Sequence, residues 1–339
     1  VAEGKMAITF QEAGDNLQKE WDDTVASSSH GTIFHTWKWL KIVQKQTGTR
    51  FLPLMAYKGN ELVALYPVFI QKRGFFTLAF SPPSKTYLVY LGPVIKGYDA
   101  LKQDKKESLL VDLQEALDTL LFSELGCNYV RIRSPPGIYD SRYLSWAGYS
   151  VGAQYTYRIP LSKGIENIWA GFDKKLRVDI NKAEKAKIEV REGELADLHA
   201  ISENLSRRFQ EQGLKKYEYK EYLTDLYHAF YPENLKIFMA YFDGERIGGM
   251  VTPCFNKTMY GWIGIPKSDF SGPSPNDLVQ WEGIKWACAN GFSVYDIMSA
   301  GDNPRLRYFK AKYNPDLCVW YTAQKYSPSF MKVIDIMSQ

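Results

Sequence analysis

Apolar and polar positions along the chain alternate between two rhythms, one near 3.6 residues and one near 2, the periods of helix and strand. Residues 17–28 are polar and helix-compatible, and GTIFHTWKWLKIVQKQTG (31–48) predicts an aromatic-rich helix. FLPLMAYKGNELVALYPVFI (51–70) places two apolar runs around Lys58-Gly59-Asn60-Glu61, which predicts a hairpin. Strands are expected around FFTLAF and YLVYLGPVI, then a helix over 108–126 stopping at Gly126, then a buried strand YVRIRS. The second half repeats this grammar. A basic helix or helix pair (165–187) precedes the strand IEVREG, a helix ending at Gly213, and the helix YKEYLTDLYHAFY. A strand-turn-strand over 235–255, the strand KTMYGWIGI, a helix (276–291) stopped by Gly291 and the strand VYDIMS complete it.

The repeated order is also a repeated sequence. Met55-Ala56-Tyr57 with Gly59 matches Met239-Ala240-Tyr241 with Gly244. At a constant offset of 165, Gly126 meets Gly291, Arg131–Ser134 meets Asp296–Ser299, and Arg142-Tyr143 meets Arg307-Tyr308. Helix, glycine, strand and Arg-Tyr in one register point to an internally duplicated α/β fold with mixed sheets. The expected domains are residues 1–155 and 156–339. Lys310 in the second copy corresponds to Ser145 in the first, so the charged copy is the candidate for chemistry.

Composition narrows the classes without choosing among them. A chain of 339 residues suits two domains. A 15% aromatic content favours large cores over disorder, and a net charge of +4 is too small to signal DNA binding. Cys127, Cys254, Cys288 and Cys318 show no metal-ligand spacing, and the four histidines are scattered, so no metal is expected. The first residues lack a secretory apolar region, and no stretch reaches the roughly 18–20 apolar residues of a membrane span. A cytoplasmic, monomeric protein is the expectation.

Two basic motifs carry a resemblance. Phe309-Lys310-Ala311-Lys312-Tyr313 is similar to the F-K-x-x-F/Y signature of FemABX-type aminoacyltransferases and their acetyltransferase-like relatives. Trp169, followed by Lys174-Lys175-Leu176-Arg177-Val178-Asp179-Ile180-Asn181-Lys182-Ala183, resembles their K-x-R-x-x-I-x-K-A motif. The resemblance runs over most of the chain and implies tandem GNAT-like domains. It implies transfer of an aminoacyl or acyl group to an amine, the founding members using aminoacyl-tRNA and a cell-wall precursor. It gives Lys310 the role of stabilising the tetrahedral oxyanion and tilts Arg177 toward phosphate binding. A phosphate-binding lysine in the first domain is ambiguous between Lys38 and Lys41.

The residues themselves support a wider candidate list. Leu176, Ile180 and Ala183 form the buried stripe of a helix, leaving Arg177 and Lys182 to meet phosphates or to sit on a solvated face beside Asp173, Asp179 and Glu184. Strand alternation puts Tyr260 and Trp262 on one face, where with Trp281 they line a substrate groove or fill the core. Asn276 or Asp277 is the expected N-cap of the following helix, near phosphate. Arg307 is a further substrate-binding candidate. Asp296, a carboxylate in an apolar strand, needs a partner, Arg305 or Arg307, or else serves as a base. The segment KSDFSGPSPND lacks the Gly-rich loop of acetyl-CoA enzymes, so a tightly bound cofactor is not expected, and the donor is aminoacyl-tRNA or acyl-CoA. Three readings follow: an aminoacyl or acyl transferase acting on a nucleotide- or lipid-linked amine, a CoA-dependent N-acyltransferase, and a non-catalytic sugar-nucleotide or RNA binder.

Overall fold

The computed structural model describes residues 6–211, 213, 219–265, 270–328, 330 and 331. The chain divides into two compact units: one runs to Gln154 and regains the chain from Val319 onward, and the other spans Tyr155–Cys318. Division in sequence order had put everything after residue 155 in the second domain. The last strand instead belongs with the first unit.

The first unit contains β1 (Ile8–Glu12), α1 (Gln18–Ser27), α2 (Trp37–Thr47), β2 (Arg50–Lys58), β3 (Glu61–Arg73), β4 (Phe76–Ser81), β5 (Val94–Ile95), α3 (Gln103–Asp118), β6 (Tyr129–Arg133) and α4 (Arg142–Trp146). Its hairpin closes at Gly59-Asn60, with Lys58 opposite Glu61 and Gly59 at φ 62°, a value glycine adopts without strain. Both faces of β2 and β3 are covered. Leu52, Leu54 and Tyr66 pack with Leu110, Leu113 and Leu117 of α3. On the other face Phe51 meets Trp21 of α1 and Trp37 of α2 edge-on, which accounts for the aromatic-rich helix.

Next come β7 (Ser150–Pro160), α5 (Ile165–Gly171), α6 (Lys174–Lys185), β8 (Glu189–Glu192), α7 (Leu195–Glu211), α8 (Lys220–Phe230), β9 (Leu235–Phe242) and β10 (Glu245–Phe255). After them lie β11 (Thr258–Tyr260), β12 (Ile263–Gly264), α9 (Pro275–Ala289), β13 (Val294–Ser299), α10 (Pro304–Ala311) and β14 (Asp316–Tyr326). In the first unit the strands run in the order β1-β2-β3-β4-β6-β14, and in the second β8-β9-β10-β11-β13-β7. The two orders match position by position. In each, one parallel pair (β4 with β6, β11 with β13) sits among antiparallel neighbours. This is the duplicated, mixed α/β fold expected from the sequence repeat.

Three expected elements come out differently. The helix over 31–48 begins only at Trp37, because Thr36 is extended and residues 33–35 make a single 3-10 turn. Of YLVYLGPVI only Val94–Ile95 is strand: Gly92 is left-handed and Pro93 has no N–H to give a ladder. KTMYGWIGI is not one strand. It breaks at Gly261-Trp262 into β11 and β12. The segment KSDFSGPSPND falls in part outside the described residues.

Candidate active site

The second unit is built around a parting of parallel strands. β11 and β13 are paired from Thr258/Val294 to Tyr260/Asp296, and the Gly261 N–H donates to the Asp296 carbonyl at 2.8 Å. Beyond that bond, among the described residues, β12 continues along β10 and not along β13. β13 bends away through Met298, a non-glycine residue at φ 65°. Such a backbone is held against its preference by its surroundings.

Lys310 and Asp296 both hold it, through the Met298 carbonyl and N–H. The Lys310 side chain leaves the last turn of α10 and is buried with 9% exposure. The Nζ donates to the carbonyls of Ile297 (2.6 Å), Met298 (3.1 Å) and Ser299 (2.9 Å). All three ammonium hydrogens therefore have an acceptor. Burial pulls its pKa down to about 8, against an upward pull from Asp296.

Asp296 is fully buried and does have a structural partner, but it is neither Arg305 nor Arg307. Arg158, directly opposite on antiparallel β7, donates Nε at 3.0 Å, and the Thr156 hydroxyl and Met298 N–H also donate to the carboxylate. Arg305 and Arg307 are exposed at the start of α10, where Asn303 caps the helix. Sequence reasoning missed Arg158. The available signal was a lone charge in the strand QYTYRIP, able to face the lone charge in VYDIMS.

The two basic motifs meet. The Asp173 N–H donates to the Lys312 carbonyl at 2.9 Å, and Phe172 packs edge-on against Tyr313. Asp173 also caps α6, accepting from the Lys175 and Leu176 N–H groups. Lys312 Nζ and the Tyr313 hydroxyl both donate to Asp277 Oδ1, at 2.6 and 3.1 Å. Asp277 is thus a buried ion-pair partner, a role the sequence did not reveal. The signature segment ties the starts of α6 and α9 to the end of β13.

Along α6, Leu176, Ile180 and Ala183 are buried as the pattern predicted. Arg177 is half-buried and its side chain has no hydrogen bond or ion pair among the described residues, with Nε buried. Lys182 is exposed, and neither Asp173 nor Asp179 pairs with either residue; Asp179 takes Lys175 instead.

The aromatic candidates pack inward. Tyr260 and Trp262 are buried, and the break at Gly261 removes the strand alternation that would have set them side by side. Trp281 is buried against Trp169 and Phe172, with ring centroids at 4.9 and 5.3 Å. These three serve as core, not as a groove lining. Asn276 is not the N-cap of α9. Ser274 occupies that position without a side-chain bond to the first turn, and Asn276 Nδ2 donates to the Ile265 carbonyl at 2.8 Å. In the first unit Lys38 and Lys41 both project from the exposed side of α2, Lys41 3.3 Å from Asp15.

Comparison with known proteins agrees with this architecture. Residues 170–310 match the model of the acetyltransferase (GNAT) domain. The structure is similar to that of FemX, with a TM-score of 0.71 and 13% identity over 98% of this chain and 100% of that one. It is also similar to L-PGS from Bacillus licheniformis (TM-score 0.57, 14% identity, 95% and 96% covered). A tandem GNAT protein from the clavulanic acid biosynthesis pathway is a third match (0.54, 10%, 94% and 98%). No curated protein is significantly similar in sequence.

Proposed function

We propose that this chain, an acyltransferase of the GNAT type with a FemX-like tandem fold, moves an aminoacyl group from aminoacyl-tRNA to an amine on a nucleotide- or lipid-linked acceptor. The observation that carries the reading is the buried Lys310 ammonium beneath the point where β11 and β13 part. The acceptor nitrogen attacks the ester carbonyl, whose π electrons move to oxygen. The tetrahedral oxyanion then collapses, the C–O bond to the ribose breaks, and the proton lost by the amine ends on the leaving oxygen. Lys310 stabilises the oxyanion through its unit charge in a poorly solvated setting, since its hydrogens are engaged by the end of β13. Arg177, half-buried and unpaired among the described residues, supplies a guanidinium for a substrate phosphate. Lys182 and Arg307 add exposed positive charge on α6 and α10.

A second reading, transfer from acyl-CoA, is favoured by a separate observation: the N-cap Ser274 makes no side-chain bond to the first turn of α9, so it leaves the N–H groups that follow Pro275 to a pyrophosphate. Single-turnover assays with labelled aminoacyl-tRNA and with labelled acetyl-CoA, each against a panel of amines, separate the two. Label moving from tRNA and not from CoA, with at least a hundredfold loss in Lys310→Met, is the expected result. Transfer from acetyl-CoA alone replaces the first reading with the second. Wild-type turnover in Lys310→Met removes the lysine from the chemistry.

A further inference from the structure

We propose that the first unit holds a separate site for a phosphate-bearing ligand, a diphosphate being the class, on the face of β6 that carries Arg131 and Arg133. Alternation along β6 sends Val130 and Ile132 into the core and Arg131 and Arg133 to the opposite face. Each guanidinium is half-buried, and neither has a carboxylate partner among the described residues. Arg131 donates to Ser84 Oγ at 2.9 Å and lies over the Phe80 ring, 5.0 Å from its centroid. Arg133 donates weakly to the Val89 carbonyl at 3.4 Å. The Nε of both is buried without an acceptor. Two like charges held close together, oriented by neutral groups and left with unused donors, are costly unless an anion joins them.

The duplicated copy sharpens the point. At the position of Arg131 the second unit has Asp296, and across the ladder from it stands Arg158. In the first unit the residue across from Arg131 is Gln324 and the one across from Arg133 is Thr322. The second copy neutralises its buried charge internally; the first copy lacks the acid. Residues two apart on a strand are about 7 Å apart. Two forked guanidiniums rooted at that spacing on one face of a strand can reach the two phosphoryl groups of a diphosphate together. Burial, aided by repulsion from Arg131, also holds the Arg133 pKa down to about 10, a penalty that a bound anion relieves.

Titration calorimetry of the full chain with inorganic pyrophosphate and with a nucleoside diphosphate tests this. Saturable binding is expected, weakened at least tenfold in Arg131→Gln and in Arg133→Gln and unchanged in Arg191→Gln, an exposed arginine elsewhere. Tighter binding of the nucleoside diphosphate identifies a nucleotide as the source, and equal binding identifies the bare diphosphate. Thermal melts without ligand supply the second readout. Arg133→Gln is expected to melt no lower than wild type, because it removes an uncompensated charge. No saturable binding of either probe, or wild-type affinity in both variants, overturns the proposal. So does a lower ligand-free melting temperature in both variants, which assigns the arginines to packing.

Discussion

Lys310 joins one ammonium to three carbonyls of a bent strand end, so its removal has two separable effects. Lys310→Met leaves the acceptors of Ile297, Met298 and Ser299 without a donor, each worth about 1–3 kcal/mol if it stays dry. The loss is partly offset because a buried charge is also removed. Chemical denaturation should show a net destabilisation of roughly 2–4 kcal/mol. The charge itself is read by pH. With the ammonium pKa drawn down to about 8 by burial, the wild-type rate should fall with unit slope on the alkaline side of that value. The residual rate of Lys310→Met should lack that limb, and a limb persisting in the variant assigns it to another group. At this scale the sequence singled out the lysine through a motif and through the contrast with Ser145. Its acceptors were illegible, because backbone carbonyls gathered by a left-handed Met298 leave no mark on residue type. Asp296 was legible as a charge needing a partner, but Arg158 was not, since strand register across some 140 residues is not written locally.

Elements followed their patterns wherever periodicity ran long. While the helix expected to run to Gly126 is α-helical only to Asp118 and continues as a π-helical turn over Thr119–Glu124, the hairpin at Gly59-Asn60, the stripe of α6 and the helix closed by Gly291 appear where the spacing put them. Short strands did not, because two or three residues cannot display a period and because Gly92-Pro93 and Gly261 interrupt apolar runs. Element packing also rests on a residue with no side chain to advertise it. A Cβ on Gly248 of β10 would lie 3.0 Å from both Pro275 Cβ and Asn276 Oδ1 at the start of α9. The pyrrolidine ring at the first helical position has little freedom to yield, so Gly248→Ala should displace the first turn of α9. Thermal denaturation should report a loss of about 1–3 kcal/mol. If the donor phosphates use that turn, the donor KM should rise several-fold with kcat little changed. An unaltered KM would detach α9 from donor binding.

The molecule as a whole is two copies of one sheet order in which the closing strands are supplied out of sequence: β14 completes the first unit and β7 serves the second. The offset of 165 revealed the duplication, but no composition change marks the return of the chain to the first unit, so the division by sequence order missed it. The copies also diverge in what they bury, and acid should distinguish them. His30 and His35 are buried in the first unit. His30 Nε2 accepts from the Ile95 N–H at 2.8 Å; in His35, Nδ1 accepts from the Thr32 N–H at 3.2 Å while Nε2 donates to the Leu91 carbonyl at 3.0 Å. Burial lowers their pKa values to about 4 and about 3, the nearby Asp99 resisting for His30 and the charge of His30 adding for His35. Between those values and the unfolded value near 6.5, the unfolded chain binds more protons, so stability falls as pH falls through that window. At pH 5 the loss relative to neutral pH is roughly 2 kcal/mol per histidine. The histidines of the second unit are not deeply buried: His199 is half-exposed and His228 exposed. Hydrogen exchange at pH 7 and pH 5, corrected for intrinsic rates, should therefore show protection lost first around residues 28–36 and 91–95. His35→Gln, already weakened at neutral pH by the cost of its altered packing, should show a shallower further loss on acidification. Equal loss of protection in both units, or an unchanged acid response in that variant, would place the acid-sensitive groups elsewhere.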